Sequence, residues 1–187
     1  MERTFEIAAI AGSLRQASFN RALLRAATEL APANLHITVH DLLSIPLYNA
    51  DVEARGVPAA VEELRSAVRA ADGLLIATPE YNYGVPGVLK NTVDWLSRPP
   101  EASALRGKPA AIVGASPGMV GTARAQAQLR QAFAFTDTLA MNQPEILVAR
   151  AHEKFDQNGV LTDEKTRAFL AKFLAAFASW VARLATR

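Results

Sequence analysis

The stretch TFEIAAIAGSLRQASFN, residues 4–20, decides the fold of this chain. Its first half, Thr4–Ala11, is an apolar run that predicts a buried strand. Gly12 then breaks the run, and a helical pattern follows over Ser18–Ala31 before a proline closes it. A buried strand followed by a turn and a helix is the repeating unit of α/β proteins with a parallel sheet.

Strands and helices continue to alternate along the rest of the chain. Further apolar runs predict strands over Leu35–Asp41, Leu74–Thr78, Ala110–Ala115 and Glu145–Arg150. Apolar residues three or four apart predict helices over Val57–Ala71, Pro86–Leu96, Thr122–Phe135 and from Thr162 to the end. The polar, proline-bearing residues 42–56 are typical of a long connection.

Five strands in a chain of 187 residues favour a flavodoxin-like fold, with helices on both faces of a parallel sheet of strand order 2-1-3-4-5. Right-handed crossovers produce such a sheet. We expect one domain over residues 1–187. Ligands bind such sheets beyond the carboxyl ends of the strands, where the strand order reverses. That point lies between the first and third strands.

Composition excludes several classes of function. The formal net charge is +2 and the basic residues are scattered, so we expect no nucleic-acid partner. The absence of cysteine excludes disulfides, thiolate nucleophiles and Cys-ligated clusters, which leaves redox chemistry to a bound cofactor. The three histidines form no metal-spaced pair, so we expect no metal site. Without a secretory signal or a membrane-spanning run, we expect a cytoplasmic protein with no membrane partner.

The turn after the first strand has the chemistry of a phosphate site. Ser13 and Ser18 offer hydroxyl groups, and Ser18 also suits the N-cap of the following helix. Arg15 can bind two phosphate oxygens, and Asn20 can donate from its amide. A helix N-terminus attracts anions through its free N–H groups. The alternative is an ordinary capped turn whose arginine is solvated.

The turn after the third strand suits a flat heterocycle. Pro79 stiffens it, and Glu80, Tyr81 and Asn82 follow with mixed polar and aromatic groups. Ser116 lies after the fourth strand, where small residues let the backbone approach the other side of a ring. Tyrosines used only for packing or for an interface are the alternative. A phosphate site beside a flat-ring site indicates a phosphorylated planar cofactor, and FMN is the obvious candidate.

At these residues the chain resembles the NADPH-dependent FMN reductase family, and most of all its bacterial quinone and chromate reductase branch. GSLRQASFN, residues 12–20, is similar to the family's phosphate loop, and TPEYNYGVPGVLKNTVDW, residues 78–95, is similar to its most specific signature. The resemblance implies that Ser13, Arg15, Ser18 and Asn20 hold the FMN phosphate. It also implies that Pro79, Glu80, Tyr81 and Asn82 hold the isoalloxazine, with Ser116 opposite.

The resemblance further implies an enzyme reduced by NADPH or NADH, which passes hydride to quinones in a ping-pong cycle. Chromate, azo compounds and free flavin are further acceptors, and the assembly implied is a homodimer or homotetramer. We assign no catalytic acid, base or nucleophile, because the cofactor does the chemistry. Two alternatives stay open: a flavodoxin-like electron carrier, which would normally be acidic, and a flavin-binding regulatory module without turnover.

Overall fold

A computed structural model describes residues 3–185. Its strands are β1 Phe5–Ala11, β2 Leu35–His40, β3 Gly73–Ala77, β4 Pro109–Ala115, β5 Leu139–Ala140 and β6 Ile146–Val148. Its helices are α1 Phe19–Leu30, α2 Ala50–Arg55, α3 Ala59–Ala70, α4 Gly87–Leu96, α5 Ala123–Thr136 and α6 Glu164–Ala185. Two short 3₁₀ turns follow α4 and β6, at Pro100–Ala102 and Ala151–Glu153.

The sheet is parallel and has the order β2-β1-β3-β4-β5, with β6 also paired to β4. The predicted flavodoxin-like order is therefore confirmed. The prediction of one fifth strand over residues 145–150 was incomplete, because two short strands share that edge. The start of β4 pairs with β5, and its end pairs with β6. Pro144, between the two, has no N–H to donate to a continuous ladder.

Helices cover both faces of the sheet. Apolar side chains of α1 and α6 pack with one set of strand residues, including Ile7, Ala9 and Leu75. Side chains of α3, α4 and α5 pack with the alternate set, including Ile10 and Ile76. Successive residues of a strand face opposite sides, so a strand covered on both faces is apolar throughout. This explains why β1 and β3 read as continuous apolar runs.

The connection predicted over residues 42–56 contains one short helix, α2. The Asn49 side chain caps it by accepting a hydrogen bond from the Asp51 N–H at 2.8 Å. None of the α2 residues is buried. Apolar periodicity could not reveal α2 because the helix has no buried apolar stripe.

The C-terminal helix α6 has 22 residues and a mean hydropathy of 1.5 in its most apolar window. Among residues 3–185, it is the one helix that could cross a membrane by length and composition alone, although the sequence analysis expected no such segment. Its apolar stripe is buried against α1, β4 and β6, with Leu170, Leu174 and Phe177 completely inaccessible to solvent. This packing is that of a core helix, as the spacing of the stripe predicted.

Candidate functional site

The turn that leaves β1 lies against the end of β3. The Gly12 N–H donates to the Ala77 carbonyl at 2.8 Å. A Cβ atom at Gly12 would lie 3.0 Å from the Leu89 side chain and 3.2 Å from Pro79. A Cβ here would therefore press on both side chains, and glycine lets the residues after β1 lie next to the residues after β3.

The backbone of this turn has free hydrogen-bond donors. No N–H group from Ser13 to Phe19 donates to another group within residues 3–185. The Ser18 hydroxyl accepts from the N–H groups of Asn20 and Arg21, at 3.2 and 3.5 Å, and so caps α1. Free N–H groups beside the positive end of a twelve-residue helix form a receptor for an anion.

The side chains of the turn complete this receptor. Ser13 and Ser18 are buried, and the Ser13 hydroxyl lies 3.3 Å from the Tyr81 hydroxyl. Arg15 is exposed and has no hydrogen bond or ion pair with any residue from 3 to 185. A permanently charged guanidinium with no internal partner is available to a ligand. The donors around this turn fit the phosphate group of FMN.

Asn20 has a second use that the sequence did not show. Its Nδ2 donates to the Ala115 carbonyl at 2.9 Å, and its Oδ1 accepts from the Ala115 N–H, also at 2.9 Å. The residue is 2% exposed, so these bonds fix the first turn of α1 to the end of β4. One N–H of the amide is left over. The contact of Asn20 with a phosphate stays a prediction.

The loop after β3 is a tight turn. The Tyr81 N–H donates to the Gly84 carbonyl at 3.1 Å, and the Gly84 N–H donates to the Tyr81 carbonyl at 3.0 Å. Asn82 and Tyr83 have φ values of 50° and 65°, as the central residues of a type I′ turn do. Asparagine tolerates this left-handed conformation, but tyrosine rarely adopts it. Strain of this kind is concentrated at functional sites.

Glu80 anchors the Tyr81–Gly84 turn to α5. Its carboxylate accepts from the N–H groups of Arg124 and Ala125 at 2.9 and 3.1 Å, and from the Arg124 guanidinium at 2.7 Å. Burial of the carboxyl raises the pKa of Glu80, but these hydrogen bonds outweigh burial and hold the pKa below its usual value. The side chain is thus committed to α5. The predicted contact of Glu80 with the ring stays a prediction, and the backbone of Glu80 is the part that would form it.

Arg124 was missed in the sequence analysis. Its guanidinium lies over the Tyr83 ring, 3.8 Å from the ring centre, while it bonds to Glu80. Arg124 is in the first turn of α5, where a cation is opposed by the helix dipole. That unfavourable placement is a weak signal in the sequence, since it costs about 1 kcal/mol at most on the surface, and it favours a carboxylate nearby.

The loop after β4 forms the opposite wall. The Ser116 N–H donates to the Val148 carbonyl at 2.9 Å, and the Ser116 carbonyl accepts from the Ala151 N–H at 3.0 Å. The Ser116 hydroxyl accepts from the Gly118 N–H at 3.1 Å. A cleft of about 460 Å³ separates this loop from the Tyr81–Gly84 turn. It is lined by Glu80, Asn82, Tyr83, Ser116, Gly118, Met119, Val120, Gly121 and Arg124.

Donors for a flat heterocycle border this cleft. The N–H groups of Glu80, Asn82 and Tyr83 donate to no other group within residues 3–185. Pro79 is buried at the base of the turn, and Ser116 lies across the cleft. The structure therefore places an anion receptor and an open cleft side by side at the carboxyl ends of β1, β3 and β4. This arrangement fits FMN.

Comparison with known proteins gives the family to which the chain belongs. The family model of NADPH-dependent FMN reductases matches residues 5–153. An NAD(P)H-dependent FMN reductase of Pseudomonas aeruginosa is 50% identical over 98% of this chain and 99% of its own length. A 2-hydroxy-1,4-benzoquinone reductase of Burkholderia sp. is 43% identical over 94% of this chain and 96% of its own length.

A solved structure has the same fold over nearly its whole length. It is that of FerB, a flavoenzyme NAD(P)H:(acceptor) oxidoreductase from Paracoccus denitrificans, with 37% identity and a TM-score of 0.88. The alignment covers 96% of this chain and 98% of FerB. Together with the family match, this likeness makes the protein an oxidoreductase that uses FMN and NAD(P)H. The chain belongs to the NADPH-dependent FMN reductase family.

Proposed function

We propose that this protein is an FMN-dependent NAD(P)H:quinone reductase that works by a ping-pong mechanism. The observation that supports this most directly is the pairing of two features at one edge of the sheet. The free N–H groups of residues 13–19 lie beside the cleft that begins at the Tyr81–Gly84 turn. The contact between Ser13 and Tyr81 joins the two features.

In this proposal, Ser13, Arg15 and Ser18 hold the FMN phosphate, with a further contact from Asn20. Pro79, Glu80, Tyr81 and Asn82 hold the isoalloxazine through the backbone and surface of the turn, with Ser116 opposite. Bound FMN supplies the hydride chemistry. The chain's own residues bind the cofactor and orient it.

No side chain of the cleft is assigned as a proton donor. Glu80 is the one carboxyl among the cleft residues, and its lowered pKa keeps it ionised at neutral pH. Its oxygens already accept three hydrogen bonds. Glu80 is therefore a structural carboxylate, and protons for the reduced acceptor come from the solvent that reaches the cleft.

The shape of the cleft supports a planar aromatic acceptor. Tyr83 and Met119 line it and are 72% and 77% exposed, so apolar surface is available to a second ring. NADPH or NADH would occupy this space first, and the acceptor would enter after the oxidised nucleotide leaves. Quinones are the acceptor class in this proposal. Chromate, azo compounds and free flavin are further acceptors in the proposal.

We also propose that the protein is cytoplasmic and forms a homodimer or homotetramer. Large apolar side chains outside the cleft support self-association. Phe135 is 93% exposed, and Leu43 and Leu47 are 71% and 83% exposed. Large exposed apolar side chains mark association sites where they form a contiguous patch. Sedimentation of the FMN-loaded protein measures the assembly directly.

The test of the proposed function is anaerobic mixing of the FMN-loaded protein with NADPH and, separately, with NADH. We expect the flavin absorbance near 450 nm to bleach with at least one nucleotide and to return when menadione is added. A flavin that stays oxidised with both nucleotides would overturn the proposal. A flavin that bleaches but is not reoxidised by menadione would reject quinones as the acceptor class.

A further inference from the structure

We propose that Arg124 selects acceptors that bear an anionic oxygen on an apolar ring. The inference rests on the proposed quinone reductase function and names the acceptor class within it. It follows from how the charges of the cleft are arranged. Arg124 and Glu80 are the two charged residues among those that line the cleft.

The positive partner of this pair faces the cleft, and the negative partner lies behind it. The Arg124 side chain is 42% exposed, whereas the Glu80 side chain is 7% exposed. The charges are joined at 2.7 Å, between Arg124 Nη1 and Glu80 Oε1. A ligand in the cleft therefore meets the guanidinium before it meets the carboxylate.

The negative charge of Glu80 is also offset from its other side. Its Oε2 accepts from the N–H groups of Arg124 and Ala125, which belong to the first turn of α5. The partial positive charge of a helix N-terminus stabilises a carboxylate in that position. Because α5 shares in balancing Glu80, the cationic character of Arg124 is only partly cancelled by its partner.

Arg124 is held still by stacking. Its guanidinium lies 3.8 Å from the centre of the Tyr83 ring, and Tyr83 belongs to the rigid Tyr81–Gly84 turn. Among residues 3–185, its side chain donates one hydrogen bond, to Glu80, which leaves most of its five N–H groups for a ligand. A donor that is already fixed loses little entropy when it binds an anion.

The rest of the cleft is apolar or uncharged. Met119 and Val120 line it and are 77% and 46% exposed. A flat apolar ring with one ionised hydroxyl would place the ring on these side chains and on Tyr83, and its oxygen on Arg124. Hydroxyquinones have this chemistry, because their hydroxyl group is acidic enough to be ionised at neutral pH.

An NADPH phosphate is a second source of negative charge for the same guanidinium. The two half-reactions separate the sources. In the acceptor half-reaction, the protein is first reduced with one equivalent of NADPH and then mixed with a quinone in a stopped-flow instrument. The quinones are anionic 2-hydroxy-1,4-naphthoquinone and neutral 2-methyl-1,4-naphthoquinone. The ratio of their second-order rate constants is compared between variants, so their different potentials cancel.

We expect Arg124→Gln to lower the rate constant for the hydroxyquinone about tenfold relative to that for the methylquinone, since a partly exposed charged donor is lost. Arg124→Lys, which keeps the charge but loses the planar fork, should retain part of the selectivity. Binding without turnover gives an independent measurement. The dissociation constant of 2-naphthoate, but not of the neutral 2-naphthamide, should rise by a similar factor.

The double variant Glu80→Gln/Arg124→Gln separates lost attraction from new repulsion. If Arg124 attracts the anion, the double variant stays as unselective as Arg124→Gln. Recovered selectivity would mean that an uncovered Glu80 repels the anion, and this would overturn the inference. An equal fall for both quinones, or a loss confined to bleaching by NADPH, would also overturn it. Failure of the unmodified protein with both quinones would instead reject the proposed function.

Discussion

The proposed phosphate loop, residues 12–20, and the Tyr81–Gly84 turn lie side by side, but their polar side chains are used in different ways. Along this loop, the backbone N–H groups of residues 13–19 and the Arg15 side chain have no partner within residues 3–185. In the second region, the backbone of the turn bonds to itself, and the neighbouring Glu80 carboxylate forms its hydrogen bonds with α5.

This difference teaches where each region's function resides. The phosphate loop leaves its donors free, so its substitutions should act on ligand affinity and spare the stability of the FMN-free protein. The turn is closed by its own backbone hydrogen bonds and is anchored to α5 by Glu80, so substitutions at Glu80 and Asn82 should act first on stability. Asn20 is the exception in the phosphate loop, since its amide is already bonded to Ala115.

Asn20→Ala should give the largest effect, because it lowers stability although the residue belongs to the loop whose other substitutions should spare stability. We expect a loss of about 3 kcal/mol in the free energy of unfolding of the FMN-free protein, because a buried N–H and carbonyl of Ala115 lose their partners. Urea denaturation followed by circular dichroism measures this loss. Asn158→Ala, at an exposed loop position, is the control and should change stability by less than about 0.5 kcal/mol. A loss below 1 kcal/mol would show that the Asn20 bonds are dispensable.

Arg15→Ala should change ligand affinity rather than stability. Loss of a charge-assisted hydrogen bond of about 1.5–3 kcal/mol should weaken FMN binding about 10- to 100-fold. The stability of the FMN-free protein and the affinity for riboflavin, which lacks the phosphate, should not change. Titration of flavin fluorescence measures both affinities, and Arg55→Ala is the matched surface control. Equal weakening for FMN and riboflavin would remove Arg15 from the phosphate site.

Glu80→Gln should lower stability by about 1–2 kcal/mol at pH 7, because the charge that caps α5 is lost. The pKa of Glu80 is lowered in the folded protein, so its stabilising effect is present above the usual value of 4.5 and is lost as pH falls through the lowered pKa. The gap between the two proteins in urea denaturation should therefore close in acid. A gap that is constant with pH would exclude the ionised carboxylate as its cause.

Substitutions of Asn82 should have the smallest effect on stability. They test the backbone conformation of the turn directly. Asn82→Gly should change stability by less than about 0.5 kcal/mol, since both residues tolerate a positive φ. Asn82→Ala should cost about 1 kcal/mol, because alanine is strained in that conformation. Thermal unfolding of the FMN-free variants compares the two. Equal costs would mean that the side chain of Asn82, rather than its φ, matters.

Much of the fold could be predicted because its signals are local. The apolar runs of β1 and β3 and the periodicity of the main helices each lie within a few residues. The edge of the sheet could not be predicted fully, since β5 has only two residues and is defined by its pairing with β4. Likewise, α2 is short and exposed, and a cap rather than an apolar stripe marks it.

The site was predicted as a location, but its internal bonds were not. The residues after β1 and β3 could be grouped because parallel strands end at one edge. The partners of Glu80 and Asn20 lie 44 and 95 residues away in the sequence, beyond the reach of any local pattern. The roles assigned to the nine binding residues stay predictions, and the Arg15 variant tests one of them directly.

The bonds between Asn20 and Ala115 have a kinetic consequence. They join α1 to β4 through protein atoms alone, so the receptor at the start of α1 is assembled before any ligand arrives. We therefore expect capture of the cofactor to need no slow ordering of the chain, with association near the rate set by diffusion and docking. Differences in affinity among variants of this protein should appear as differences in how long the cofactor stays bound.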